Sequence, residues 1–420
     1  MKSITIVLTS FFIFSISSFT SAQFDLGKKI KKKIEKKAEG EIDKTIDKGI
    51  DETVDAVKKG GKEEDKEKDT KSKSVESSTN ESEVEQSSIE QEENQGLKIW
   101  SKYDFVAGDK VIFEDDLRGE ESGEFPSRWD LTSGSAQNAS LGNDNVIQFV
   151  HTNTIVLPLM NKKNFLPDVF TIEFDVFFEE LATKRTEQYQ LRFFEGTGPT
   201  ARGDRKNRVI EIAWNKAKMG NFGGDVSDFR EEKKDWQAKW KHIAVSFNVR
   251  SLKLYIDQER ILNIPRVGFK PSMFSIGGQY DERYIKICAI KNIRVNEGGK
   301  KLYDRIVSEG KFVTHGILFD VNKSIIKGES MGTINEIVKL MKEHPDLKFS
   351  VEGHTDSDGD ESFNQKLSED RALAVKTALV EEGIEPSRLE TKGWGESKPL
   401  NSNLTPEEKA NNRRVEFVKI

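Results

Sequence analysis

The chain has a single cysteine, Cys288, in 420 residues. That excludes a disulfide framework and a cysteine-rich metal site, and it leaves no lipid-accepting cysteine after a secretory cleavage position. In "YIKICAIKNI" the thiol reads as a buried strand residue. Past residue 22 no apolar run is long enough to cross a bilayer as a helix. There is no basic excess either: the formal net charge is -6, and the lysine cluster at residues 28–37 lacks interleaved aromatics, so nothing points to nucleic acid. No serine or cysteine nucleophile motif accompanies His354, which reads as a structural histidine. Gly393 and Gly395 in "KGWGE" permit a turn, but no helix follows directly to cradle a phosphate. The expectation is a protein that is not an enzyme and holds no cofactor and no metal.

What is present divides the chain into five segments. Residues 1–22 carry one lysine, an apolar run and the small residues "TSA", the plan of a secretory signal peptide. In residues 23–59, Leu26, Ile30, Ile34, Ala38, Ile42, Ile46, Ile50 and Val54 recur at every fourth position, which predicts a charged amphipathic helix. Its lysines suit an anionic outer-membrane surface and its stripe a partner helix, while a solvated helix without a partner fits the same pattern. Residues 60–96 have almost no apolar side chains and predict a disordered linker.

Residues 97–306 change to short alternating runs such as "KVIFEDDL", "FTIEFDVFF", "RVIEIAW" and "HIAVSFNV", separated by Gly, Asn, Asp and Pro clusters. This predicts an all-β domain. A transmembrane barrel would alternate in the same way, but several runs are shorter than a spanning strand needs and Pro158, Pro167, Pro265 and Pro271 interrupt the region, so a β-sandwich is the expectation. "FTIEFDVFF" with "KWKHIAVSFNVRSLKLYIDQERI" resembles the laminin-G and concanavalin-like sandwiches. That resemblance implies a glycan- or protein-binding module, or a spacer.

Residues 307–420 alternate strand and helix in a βαβαββ plan: strand "FVTHGILFDV", helix "GTINEIVKLMKEH", strand "LKFSVEGHTD", helix "NQKLSEDRALAVKTALVEEG", and strands "RLETKGWG" and "RRVEFVKI". Leu367, Ala374, Val375 and Ala378 mark the buried face of the second helix, and Arg371 starts at its edge. Asp356 follows a strand and precedes the turn-forming "SDGDESF". Both residues therefore reach one rim. An aspartate and an arginine held apart suit a zwitterion such as the head of diaminopimelate in a peptidoglycan stem peptide, whereas a simple Asp356–Arg371 bridge is the structural alternative.

"LFDVNKSIIK", "VEGHTDSDG", "NQKLSEDRALAV", "KGWGESKP" and "NNRRVEF", in that order, resemble the OmpA C-terminal family, the peptidoglycan-associating domain of outer-membrane proteins. The resemblance implies that Asp356 and Arg371 bind the diaminopimelate head, and that Asp320, Thr355, Asn364 and Arg413 line the same pocket. On the residues alone, Asn364 could serve only as a helix cap, and Arg413 with Arg414 could be a solvated pair.

Two rival chemistries are weaker. "DSDGDE" alternates Asp356, Asp358 and Asp360, but the calcium loop needs Gly at its sixth and Glu at its twelfth position, where Glu361 and Leu367 stand. Glu173, Asp175 and Glu179 approximate a strand-borne glycosidase motif but span one residue too many, so Glu173 and Asp175 read as the solvent side of a strand. The expectation is a periplasmic, outer-membrane-associated envelope protein whose partner is peptidoglycan. An adhesin with a glycan or protein ligand on the sandwich, and a wall glycosidase, are the alternatives.

Overall fold

The computed structural model describes residues 103–196, 208–225, 237–298 and 302–420. The expected signal peptide, amphipathic helix and linker lie outside the described residues.

The described part before residue 298 is built from strands: β1 (Lys110–Asp115), β2 (Trp129–Ser133), β3 (Ala136–Leu141), β4 (Asp144–Phe149), β5 (Thr154–Pro158), β6 (Val169–Phe178), β7 (Glu187–Phe194), β8 (Val209–Ala213), β9 (Lys216–Met219), β10 (Phe222–Asp225), β11 (Lys239–Asn248), β12 (Ser251–Ile256), β13 (Glu259–Ile264), β14 (Met273–Tyr280) and β15 (Ala289–Glu297). One sheet runs β13-β12-β11-β6-β15-β4-β3, with β1 also paired to β15, and the other runs β10-β9-β8-β7-β14-β5-β2. A single cluster of buried side chains draws on both sheets, so they pack face to face as a sandwich. Along β6 the residues Phe170, Ile172, Phe174, Val176 and Phe178 enter that core. Period two then puts Thr171, Glu173, Asp175 and Phe177 on the opposite face.

That opposite face is not solvent. Glu173 is only 5% exposed, which corrects the expectation of a solvent-side carboxylate. Residues 103–107 cross this face, where Tyr103, Phe105, Ala244 and Tyr255 form a second small cluster. The C-terminal part then covers it: the Asn335 amide donates to the Tyr103 carbonyl at 3.2 Å, and Gly332 lies directly on the Phe105 carbonyl.

The C-terminal part comprises α1 (Leu302–Glu309), β16 (Lys311–Thr314), α2 (Met331–Glu343), β17 (Phe349–His354), α3 (Glu361–Glu381), β18 (Leu389–Gly393), α4 (Pro406–Asn412) and β19 (Arg414–Lys419). Its sheet runs β16-β19-β17-β18, with β17 and β18 parallel and the other pairs antiparallel. The βαβαββ expectation therefore needs two additions, α1 ahead of the first strand and α4 ahead of the last. Helix α4 starts at Thr405, which accepts from the Glu408 N–H while Glu408 reaches back to the Thr405 N–H. The expected strand through residue 321 stops at Thr314. Past it the chain forms a loop, with an isolated Phe319–Ile326 bridge in place of a longer paired strand. Among the described residues, no helix is long and apolar enough to cross a membrane.

Candidate functional site

The loop at residues 318–327 sets the first element of the site. The Lys327 N–H donates to the Leu318 carbonyl at 2.9 Å and the Leu318 N–H to the Ser330 hydroxyl at 2.8 Å. The closed loop turns the Asp320 and Lys323 carbonyls toward α3. Arg371, on α3, donates from Nε to the Lys323 carbonyl at 3.0 Å and from Nη2 to the Asp320 carbonyl at 3.4 Å. Its guanidinium lies 4.9 Å from the centre of the Phe319 ring. Burial and the neighbouring Arg413 charge lower its pKa to about 10, against the pull of Asp356. Arg371 thus remains a cation at neutral pH, and among the described residues no carboxylate pairs with it.

Asp356 follows β17, which packs so closely on α3 that a Cβ at Gly353 would meet the Ser368 carbonyl at 2.2 Å. Only glycine permits that approach. Asp356 is buried. Its carboxylate accepts from Arg413 Nη1 at 2.5 Å and from the Asp358 N–H at 3.2 Å. The alternative in which Asp356 and Arg371 bridge each other is not what the structure shows: the aspartate is held by Arg413.

The other expected residues divide by role. Arg413, at the end of α4, also donates from Nη2 to Glu114 of β1. Burial opposes its charged form, but Glu114 and Asp356 together raise its pKa. Asn364 is buried, and its amide donates to the Asp358 carbonyl at 3.0 Å, the Asp356 carbonyl at 3.4 Å and Glu396 at 2.7 Å. It braces the Asp356 loop, while Asp360 is the residue that caps α3. The Thr355 hydroxyl is buried with no hydrogen-bond partner among the described residues. Asp320 contributes its carbonyl to Arg371, and its carboxylate stands 3.7 Å from the Lys323 ammonium. In the acidic loop, Asp358 pairs with Lys409 at 2.6 Å.

Glu114 is the residue that sequence reasoning missed. It is buried and also accepts from Arg294 Nε at 2.8 Å. Burial favours its neutral form, but Arg294 and Arg413 outweigh that and lower its pKa. The four charges form one continuous line, Asp356, Arg413, Glu114 and Arg294, running from the C-terminal sheet into the sandwich.

Comparison with known proteins assigns the C-terminal part. Residues 318–413 match the OmpA family and form an OmpA-family domain. Outer membrane porin F of Pseudomonas aeruginosa is 46% identical over 111 residues, covering 26% of this chain and 32% of the porin. The probable lipoprotein YiaD of Escherichia coli is 35% identical over 129 residues, covering 28% of this chain and 59% of that protein. The chain spans about a third of the length of the porins it matches. A solved structure of the peptidoglycan-associated lipoprotein from Burkholderia pseudomallei is 24% identical, covers 29% of this chain and 100% of its own, and has a TM-score of 0.25.

Proposed function

We propose that this chain is a non-enzymatic, outer-membrane-associated envelope protein that holds peptidoglycan non-covalently through the diaminopimelate head of its stem peptide. One observation carries the reading. Arg371 is a half-buried cation, fixed by two loop carbonyls and a ring face, that lacks a carboxylate among the described residues. A planar guanidinium so held is ready for a ligand carboxylate. The OmpA-family match over residues 318–413 and the outer-membrane and lipoprotein relatives support the setting.

The ligand ammonium would take Asp356. Arg413 now occupies that carboxylate, but Glu114 grips the same guanidinium from its other side, so Arg413 can release Asp356 without being left unpaired. Asp320, Thr355 and Asn364 complete the rim in this reading. We assign residues 1–22 to export, 23–59 to a surface or partner helix, and 60–96 to a tether. Residues 97–306 would be a laminin-G or concanavalin-like sandwich, and residues 307–420 the anchor.

Co-sedimentation of the full chain with diaminopimelate-type sacculi tests the reading. Arg371→Ala should cost about 2–5 kcal/mol of binding, the range for removing one partner of a desolvated charge pair. Equal pelleting of wild type and Arg371→Ala would overturn it.

A further inference from the structure

The outer face of the sandwich and the OmpA-family domain enclose a cleft of about 510 Å³, within the roughly 300–1,000 Å³ range of small-ligand sites. One wall holds Arg371 and Arg413, and the other holds Asp175, His242 and Asn292. We propose that the sandwich is the second wall of the binding site, and that this cleft takes the remainder of the stem peptide, a short peptide bearing charges of both signs. The inference rests on the peptidoglycan reading and extends it to what the sandwich does.

The second wall has the build of a site. His242 on β11 stands directly opposite Asp175 on β6 in the antiparallel register, and its Nδ1 lies 2.8 Å from Asp175 Oδ1. Asn292 donates to the other Asp175 oxygen at 2.6 Å. It does so from a left-handed backbone, φ 52°, at the irregularity where β15 shifts register against β6 between Lys291 and Arg294. His242 Nε2 is buried and faces Glu173 Oε2 across 3.6 Å, and, against burial, Asp175 and Glu173 hold the imidazole's pKa well above its usual value. A charged imidazole held between two carboxylates on the cleft wall, with Asn292 bracing one of them, presents a fixed set of polar groups to a ligand.

The chemistry of the cleft selects the class of that ligand. Its lining mixes carboxylates such as Asp116 and Glu329 with cations such as Lys291 and Lys327. The only phenyl, phenol or indole ring among these residues is Phe319, and Arg371 covers its face. A sugar ring has no open aromatic surface to stack on there, whereas a peptide with carboxylates, an ammonium and amides meets a partner on either wall. The ion line from Asp356 through Arg413 and Glu114 to Arg294 fixes the two walls to each other, so the ligand would meet them as one surface.

Calorimetric titration of the full chain with two probes tests this: free meso-diaminopimelate, and the tetrapeptide L-Ala-γ-D-Glu-meso-diaminopimelate-D-Ala. His242→Gln and Asn292→Gly should each weaken the tetrapeptide about tenfold, the scale of one lost hydrogen bond to a charged group, and leave free diaminopimelate unchanged. Arg371→Ala should weaken both probes. Wild-type tetrapeptide affinity in both sandwich variants, with Arg371→Ala still defective, would overturn the second wall and leave the anchor reading standing. Wild-type affinity of Arg371→Ala for both probes would overturn the two together. Should the sandwich variants misfold, a photoreactive tetrapeptide on the wild-type chain decides: label in residues 171–178, 239–248 or 289–297 supports the proposal, and label confined to residues 302–420 overturns it.

Discussion

Glu114 and Arg413 stand 299 positions apart in the chain and form a partly buried ion pair, joined on one side by Arg294 and on the other by Asp356. The OmpA-family domain and the sandwich are thus coupled at the residues that edge the candidate site.

Removing Glu114 should therefore destabilise the whole described unit. Glu114→Ala leaves the half-buried Arg294 without its carboxylate and Arg413 with Asp356 alone, and the expected loss is about 1.5–3 kcal/mol. Urea unfolding followed by tryptophan fluorescence measures it; a loss below 1 kcal/mol would mean that solvent already screens the pair.

Gly332 is a second point of coupling. A Cβ there would sit 1.7 Å from the Phe105 carbonyl oxygen, so Gly332→Ala must push residues 103–107 off α2, at about 1–3 kcal/mol. Hydrogen exchange should quicken in residues 103–107 and the facing turn of α2 while β17 keeps its protection. Unchanged exchange in residues 103–107 would show that the segment is not seated on α2.

Acid should weaken the C-terminal domain through two histidines. Burial, with the Arg294 and Arg414 charges, lowers His315 to about 4 despite its contacts with the Asn411 and Asp109 backbone. Burial, with Arg414, Lys311 and Lys398, lowers His354 to about 3 against the pull of Glu416. Both are neutral when folded, whereas an unfolded histidine takes a proton near pH 6.5. The unfolded state binds more protons between pH 6.5 and 4, so stability falls as pH drops through that window. At pH 5 the loss is about 2 kcal/mol per histidine relative to neutral pH. In chemical melts at pH 7 and 5, His315→Gln and His354→Gln should each shrink the difference by about that amount.

Glu187 has the opposite sign. Burial raises its carboxyl to about 9, the Glu179 charge adds to the rise, and the Glu179 N–H hydrogen bond opposes it. The folded state keeps this proton after an unfolded glutamate has lost it. The contribution is complete below about pH 4.5 and disappears as pH rises through 9. Relative to wild type, Glu187→Gln should gain about 1.4 kcal/mol of stability for each pH unit between 5 and 9. Parallel pH–stability curves would show that Glu187 ionises in place.

Much of this was legible in the sequence because it is local. The alternation of Phe170, Ile172, Phe174, Val176 and Phe178 marks a core strand, and the order of motifs from Asp320 to Arg413 brings the rim residues into one domain. Helix α4 was also legible, since Thr405, Pro406 and Glu408 spell a capping box, but the short "TPEEKANN" stretch offers too little apolar periodicity to attract notice. "GILF" looked like strand because it is apolar, yet the chain there finds only the Phe319–Ile326 bridge. Glu114 and the His242–Asp175–Asn292 group were not legible. Their partners are set by packing of one sheet face against a distant domain, which no window of sequence contains.

The last strand occupies an inner place in its sheet. β19 lies between β16 and β17, so two strands made earlier stay without their common neighbour until residues 414–419 emerge. Pairing Thr314 with Val415 is a long-range closure, slow compared with local contacts. Arg413 stands at the threshold of that strand, so the ion line to Asp356 and Glu114 is laid down as residues 413–419 join the sheet. A chain cut short before Arg414 would retain Arg371 on its helix but have no completed sheet behind it. Pairing of residues 414–419 and completion of the rim are then one event.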